Sequence, residues 1–298
     1  MKTPLFTCTL VAALITSASA TVTMDWVTIG NANNAADQLT GYGAVDHAYR
    51  IGKYEVTNAQ YVDFLNAKAK SDTYALYSGG NGMPAYGIVQ NGVAGLYTYS
   101  VSAGFTNRPV VGVSWSSAAR FANWLVNGQG DANTESGTYE MTLRLPGRAA
   151  GSEIFLPSED EWYKAAYYNA DLNAYSLYPN GEYTINQQGA NYNFFTGTTI
   201  DVGSFVSSPS SYGTFDQGGN IWEWNEAIIN HLGSSNRGYR GGSWYENETV
   251  MRSTLRTNGE NPSNQGNLHG FRLAAIPEPS ALVLLIIASG LLTFRRSR

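Results

Sequence analysis

Three stretches of the chain place apolar residues at helical spacing, and each begins with a side chain suited to cap a helix. Thr57 precedes Tyr61, Phe64 and Leu65, with Gln60 placed to reach back to the cap. Ser114 precedes Ala118, Phe121, Ala122 and Leu125. Ser158, with Glu161 three residues on, gives a capping-box signature ahead of Trp162, Ala165 and Ala166. Short apolar runs predict strands at Trp26 to Ile29, Ala48 to Tyr54, Val110 to Val113 and Phe271 to Ala275. Between these elements lie long stretches rich in Gly, Asn, Ser and Tyr, notably 71–107, 128–152 and 169–214. Disordered chains are poor in aromatics, whereas these stretches are full of Tyr and Phe, so they read as ordered loops. Few helices and scattered short strands predict an α+β fold rather than a parallel sheet.

The two ends carry a different pattern. Residues 1–20 place Lys2 before an apolar stretch from Leu5 to Ile15 and finish in Ala18-Ser19-Ala20, the layout of a secretory signal peptide cut after Ala20. Cys8, the only cysteine in 298 residues, lies within it. A mature chain without thiols excludes disulfides, thiolate metal sites and cysteine nucleophiles. At the other end, Pro277-Glu278-Pro279-Ser280 precedes an uncharged stretch from Ala281 to Phe294 and then Arg295-Arg296-Ser297-Arg298. This ordered trio over residues 277–298 resembles the PEP-CTERM sorting signal of Gram-negative bacteria that secrete exopolysaccharide. The resemblance implies an exosortase-type sorting enzyme as partner. It also implies anchoring in the inner membrane through the C-terminal helix before processing, then delivery to the cell envelope or the extracellular space. The alternative is an ordinary C-terminal anchor, although the apolar stretch is short against the ~20 residues a full span needs. In both cases the basic tail stays cytoplasmic and the domain faces outward.

Residues 21–276 remain, a length that suits one large domain or two small ones. They hold 14 Lys and Arg against 22 Asp and Glu, a net charge of −8. An acidic domain without a basic stripe lacks the phosphate-neutralising charge on which nucleic-acid affinity depends, so nucleic acid is discarded as a partner. No nucleophile elbow, phosphate loop or metalloprotease motif is present.

Six ordered blocks span residues 25 to 275. The first three are Glu55-Val56-Thr57-Asn58 with Tyr61 and Phe64, Pro109 through Trp115 with Ala118 and Trp124, and Leu156-Pro157-Ser158-Glu159 with Glu161-Trp162 and Ala165-Ala166. Gly219-Asn220-Ile221-Trp222-Glu223-Trp224, Arg240-Gly241-Gly242-Ser243-Trp244 and Gly270-Phe271-Arg272 follow. Together they resemble the sulfatase-modifying factor family. That resemblance implies the formylglycine-generating-enzyme fold, a loop-rich relative of the C-type lectin fold, without settling function. The family's founding members oxidise a sulfatase cysteine with two thiols that hold copper(I). Those thiols would fall near Glu246 and Met251, and neither side chain replaces a thiolate pair as a soft ligand, so copper and formylglycine generation are not expected. A second branch, the iron-dependent sulfoxide synthases, needs a histidine triad. His47, His231 and His269 show no paired spacing and read as solvated loop residues, which leaves iron without support.

Calcium is the cofactor the resemblance favours, in a structural role. In family members the Gly-Asn-x-Trp-Glu-Trp loop coordinates calcium, and Asp216, Gly219, Ile221 and Glu223 match its ligand positions. A hard cation wants six to eight oxygens, which carboxylates and inward-aimed carbonyls of a tight turn can supply. Asn191 sits in an Ala-Asn block that resembles part of a second family calcium site. The bland reading is that Asp216 and Glu223 only cap and solvate the loop.

Trp115, Trp124, Trp162, Trp222, Trp224 and Trp244 read as core packing, because all lie inside the family blocks. No catalytic residue is assigned. A candidate ligand-binding surface comprises Trp244, Tyr245, Glu246, Arg252, Arg256 and Asn258, within the polar interval that in related variable proteins forms a ligand face. Two readings follow. One is a calcium-stabilised binding or structural module of the cell envelope or extracellular matrix, with a polysaccharide or protein ligand. The other is an oxidative enzyme of the broader superfamily acting on an unknown exported substrate.

Overall fold

The computed structural model describes residues 21–79, 87–231 and 234–277. The signal-peptide segment 1–20 and the sorting segment beyond Pro277 lie outside the described residues, as does the His231 side chain. Among the described residues no helix is long and apolar enough to cross a membrane.

In chain order the elements are β1 (Trp26–Ile29), β2 (Tyr49–Gly52), α1 (Asn58–Lys68), β3 (Ile88–Asn91), β4 (Thr98–Val101) and α2 (Trp115–Val126). They continue with β5 (Ile154–Phe155), α3 (Glu159–Tyr167), β6 (Tyr168–Asn169), β7 (Ala174–Tyr175), β8 (Trp222–His231) and β9 (Ser234–Arg240). A 3-10 turn (Glu248–Met251), β10 (His269–Gly270) and β11 (Ala274–Ala275) complete the set. This is the α+β, loop-rich architecture expected from the sequence.

All three helices start at their predicted caps. Thr57 and Ser158 each accept from the backbone N–H three residues on, and the side chains of Gln60 and Glu161 return to the cap N–H, closing both capping boxes. Ser114 accepts from Ser117 N–H at the start of α2. α1 and α2 pack through rings, with Phe121 at 5.4 Å from Phe64 and 5.5 Å from Phe271. Both contacts are edge-to-face, the arrangement that the ring quadrupoles favour.

A four-stranded sheet has the order β1-β2-β11-β5, so the last strand enters between an N-terminal strand and one from the middle of the chain. A second sheet, β10-β8-β9, pairs β10 parallel to β8 in the register His269 to Trp222. The chain between β10 and β11 thereby spans the two sheets and carries Arg272 into the interior.

The strand readings need correction. Val110 to Val113 forms no strand: Gly112 adopts φ +73°, which breaks the extended run, and the segment makes only isolated backbone bonds, Val110 N–H to Val56 O at 2.9 Å and Val113 N–H to His269 O at 3.2 Å, beside a Thr57–Pro109 bridge. Its valines are buried all the same. The run at Phe271 to Ala275 is extended and paired only at Ala274–Ala275, and that at Ala48 to Tyr54 only at Tyr49–Gly52. The loop-rich stretches also contain two small hairpins, β3-β4 and β6-β7. β8 and β9, the longest strands, escape the hydrophobic pattern, because a register shift between Trp224 and Ile228 interrupts their alternation.

Candidate functional site

The loop leading into β8 and the segment leading into β11 meet at a buried charge cluster. Arg272 donates from Nε to Glu223 Oε2 and from Nη2 to Glu223 Oε1, both at 2.6 Å, with both side chains fully buried. The remaining guanidinium hydrogens go to backbone carbonyls: Nη1 to Gly52 at 3.0 Å and Lys53 at 3.4 Å, and Nη2 to Phe215 at 2.8 Å. Trp162 Nε1 donates to Glu223 Oε2 at 2.7 Å, which ties α3 to the same carboxylate.

Two further carboxylates share this interior. Asp216 accepts from Gly203 N–H at 2.6 Å, and burial pushes its pKa up to about 6. Glu55 Oε1 accepts from Asn220 Nδ2 at 3.2 Å, while its Oε2 is buried with no partner. Burial, then the charge of Asp216, hold the Glu55 carboxyl well above the usual carboxylate range. Three carboxylates therefore surround one guanidinium, and an interior with that imbalance demands protons or a further cation.

The backbone here is built for close approach. Asp216, Gly219 and Asn220 all have φ between +60° and +84°. A Cβ on Gly219 would lie 2.3 Å from the Asn191 carbonyl oxygen, so only glycine fits. Asn220 N–H donates to that same carbonyl at 2.8 Å, and Asn191 Nδ2 reaches Asn220 Oδ1 at 3.3 Å. The two sequence blocks assigned to separate calcium sites are thus in direct contact.

The donors divide in their fit to calcium. Glu223 is engaged by Arg272 and Trp162 at both oxygens. Asp216 has one oxygen outside its bond to Gly203, and it lines a niche of about 10 Å³ with Ser208, Ser210, Thr214, Gln217 and Gly218. That is room for one water-sized species among oxygen-bearing groups. Glu55 lines a separate polar cleft of about 470 Å³ with Asp25, Gln60, Asn107 and Asp201. Among the described residues no three His, Cys, Asp or Glu side chains are grouped as metal ligands. A cation here would therefore draw on carbonyl oxygens, such as those of Gly219 and Ile221, as well as on carboxylates.

The candidate ligand surface separates into individually placed residues. Glu246 faces inward: Oε1 accepts from Trp222 Nε1 at 3.0 Å and Oε2 from Ser243 N–H at 3.1 Å. Met251, the other residue near which a family thiol would fall, is fully buried against Tyr178, Ala190 and Tyr192. Arg252 donates to the Tyr178 hydroxyl at 3.0 Å. Arg256 is held by Glu159, which also accepts from Arg240. Trp244 is buried, whereas Tyr245 and Asn258 are exposed.

The histidines do not all match the solvated reading. His47 is half-exposed, beside Asp46 and Glu161. His269 is buried, stacked on Trp224 at 5.0 Å with Tyr239 edge-on at 4.5 Å, because β10 pairs with the inward-facing β8. Burial lowers its pKa to about 4, so it is neutral at pH 7. Sequence reasoning also passed over Glu55, Arg272 and Phe194 as site residues. Glu55 and Arg272 lay within recognised blocks, and that was their available signal.

The fold agrees with the comparisons. The family described as sulfatase-modifying factor enzyme 1-like domain matches residues 19–276, and the chain belongs to it. A curated relative, the serine/threonine-protein kinase pkn1 of Chlamydia pneumoniae, is 25% identical over 266 residues, which cover 82% of this chain and 36% of the relative. The hercynine oxygenase of Mycobacterium tuberculosis is 24% identical over 250 residues, covering 76% of this chain and 52% of that enzyme. The chain thus spans between about a third and a half of these relatives. Among solved structures, Treponema denticola variable protein 1 superposes with a TM-score of 0.59 at 20% identity, covering 87% of this chain and 98% of that one, which is a likeness of fold.

Proposed function

We propose that this chain is a calcium-stabilised, non-catalytic binding module of the cell envelope or extracellular matrix, exported and sorted by its terminal segments. The observation that carries this reading is what occupies the two places near which the family's thiols would fall. Glu246 is spent on internal hydrogen bonds and Met251 fills a small apolar core, so both serve packing rather than chemistry. Calcium is supported by the excess negative charge around Arg272. Asp216 and the backbone carbonyls of the Gly219 loop would hold it, and the ion would supply charge balance and rigidity, with Glu55, whose Oε2 has no partner, adding to the negative charge. Glu223 contributes through Arg272 rather than as a ligand.

The enzymatic alternative draws on family membership and on the likeness to hercynine oxygenase. It calls for metal ligands contributed by loops that the described residues do not group together. Elemental analysis of the full chain, purified without chelators, separates the two readings. Stoichiometric calcium alone is expected. Stoichiometric iron or copper overturns the module reading in favour of an oxidative enzyme.

A further inference from the structure

Five of the six indoles in the family blocks place their N–H on a protein acceptor. Trp115 donates to Asn225 O, Trp124 to Gly130 O, Trp162 to Glu223, Trp222 to Glu246 and Trp224 to Val113 O. Trp244 is the exception: the residue is 6% exposed, and its Nε1 is buried with no partner. Buried indole donors are normally satisfied, so an unpaired one marks a place where a ligand or water completes the structure.

Two half-exposed rings adjoin it. Phe194 is 53% exposed and Tyr245 is 50% exposed, with ring centroids 4.4 Å apart. Trp244 meets both nearly edge-on, at 5.8 Å from Phe194 and 5.9 Å from Tyr245. The rings come from two loops joined by backbone hydrogen bonds, Phe194 N–H to Trp244 O at 2.8 Å and Asn193 N–H to Glu246 O at 2.6 Å.

Backbone conformation adds an independent observation. Asn193 and Phe194 adopt φ of +52° and +58°, and Phe194 is the only aromatic among the described non-glycine residues in this region. A turn alone would be better served by Gly or Asn at both positions. A bulky ring kept in a strained conformation, and presented to solvent, points to use of the ring itself.

We infer that Phe194, Tyr245 and Trp244 form a ledge that binds the face of a neutral pyranose ring in a polysaccharide, an assignment that rests on the binding-module reading. The apolar C–H face of a sugar would lie on one of the two exposed rings, which are tilted 59° to each other, and a water bridging from a sugar hydroxyl would accept from the unpartnered Trp244 Nε1. Two half-exposed rings fall far short of the roughly 800 Å² per partner of a stable protein interface, but they match one sugar ring in extent. The charge of −8 over residues 21–276 disfavours a polyanionic chain.

The test is native gel electrophoresis of the full chain in mild detergent, through gels containing glucomannan, dextran or alginate. The expected result is retardation by a neutral polysaccharide, weakened roughly tenfold in Tyr245→Ala and in Phe194→Gly, as loss of a stacking contact implies. Phe194→Gly should keep or raise the melting temperature, because glycine relieves the left-handed backbone, so lost retardation would not report misfolding. Retardation that both variants retain overturns the ledge while leaving a binding module. No retardation by neutral gels, with capture of the chain on a peptide array, overturns the sugar assignment and also leaves the module. Retardation by alginate in preference to the neutral gels contradicts the charge argument and overturns the proposal.

Discussion

Arg272 and Glu223 face each other through two parallel 2.6 Å hydrogen bonds, with neither side chain exposed. The pair joins the segment between β10 and β11 to the start of β8, and Trp162 links α3 to the same carboxylate. A bidentate, fully desolvated pair of this kind fixes geometry more than it adds net stability, because desolvation offsets much of the attraction.

Removing one partner should therefore be far worse than the pair is good. Arg272→Met leaves three buried carboxylates without their guanidinium and should destabilise by about 3–5 kcal/mol in urea titrations. Arg272→Lys should recover only part of this, since an ammonium cannot bridge both oxygens of Glu223 and the carbonyls of Gly52 and Phe215 together.

Gly219→Ala tests the contact between the two loops assigned to calcium. The new methyl would meet the Asn191 carbonyl at 2.3 Å in a backbone region that alanine avoids. A loss of about 2–4 kcal/mol is expected from strain and overlap together. Asn191→Ala, which removes only side-chain bonds, should cost less.

The contribution of His269 to stability should be lost on mild acidification. Its folded pKa of about 4 lies below the ordinary 6.5, so between those values the unfolded chain binds the extra proton. The histidine's contribution is fully present above pH 6.5 and lost as pH falls towards 4, a total of roughly 3 kcal/mol. Chemical denaturation at several pH values should show this loss as the difference between the native chain and His269→Phe, because the raised carboxyls of Asp216 and Glu55 act in the opposite sense over the same interval. A second loss belongs to Glu161: hydrogen bonds from His47 and Arg148 overcome burial and lower its pKa to about 2, so its contribution disappears between about pH 4.5 and 2.

Glu246 should behave as a structural residue. Glu246→Ala leaves the Trp222 indole and the Ser243 N–H unpaired, at a cost of about 1–3 kcal/mol. A variant that folds as stably as the native chain would sink the internal role assigned to this carboxylate.

The helices were legible because their signals are local. Thr57 with Gln60 and Ser158 with Glu161 announce their caps within four residues, and those caps formed. The sheets were less legible because their pairings are distant: β11 lies between β2 and β5, and nothing in Ala274–Ala275 names those partners. For the site, the blocks holding Glu55, Glu223 and Arg272 stood out in sequence, but their convergence on one guanidinium did not. His269 looked like a loop residue because its burial depends on the parallel pairing of β10 with β8. Phe194 gave no signal in a loop full of aromatics, since only its backbone angle and its contact with Tyr245 set it apart.

The most direct test of the calcium-stabilised module is the melting temperature of the chelated full chain, measured with and without added calcium, in the native protein and in Asp216→Ala. At calcium a hundredfold above the dissociation constant, binding should add about 2.7 kcal/mol, or roughly 5–10 °C for a domain of this size. The expected result is a rise of that order in the native chain and none in Asp216→Ala. A native melting temperature indifferent to calcium, or a rise that Asp216→Ala retains in full, contradicts the account.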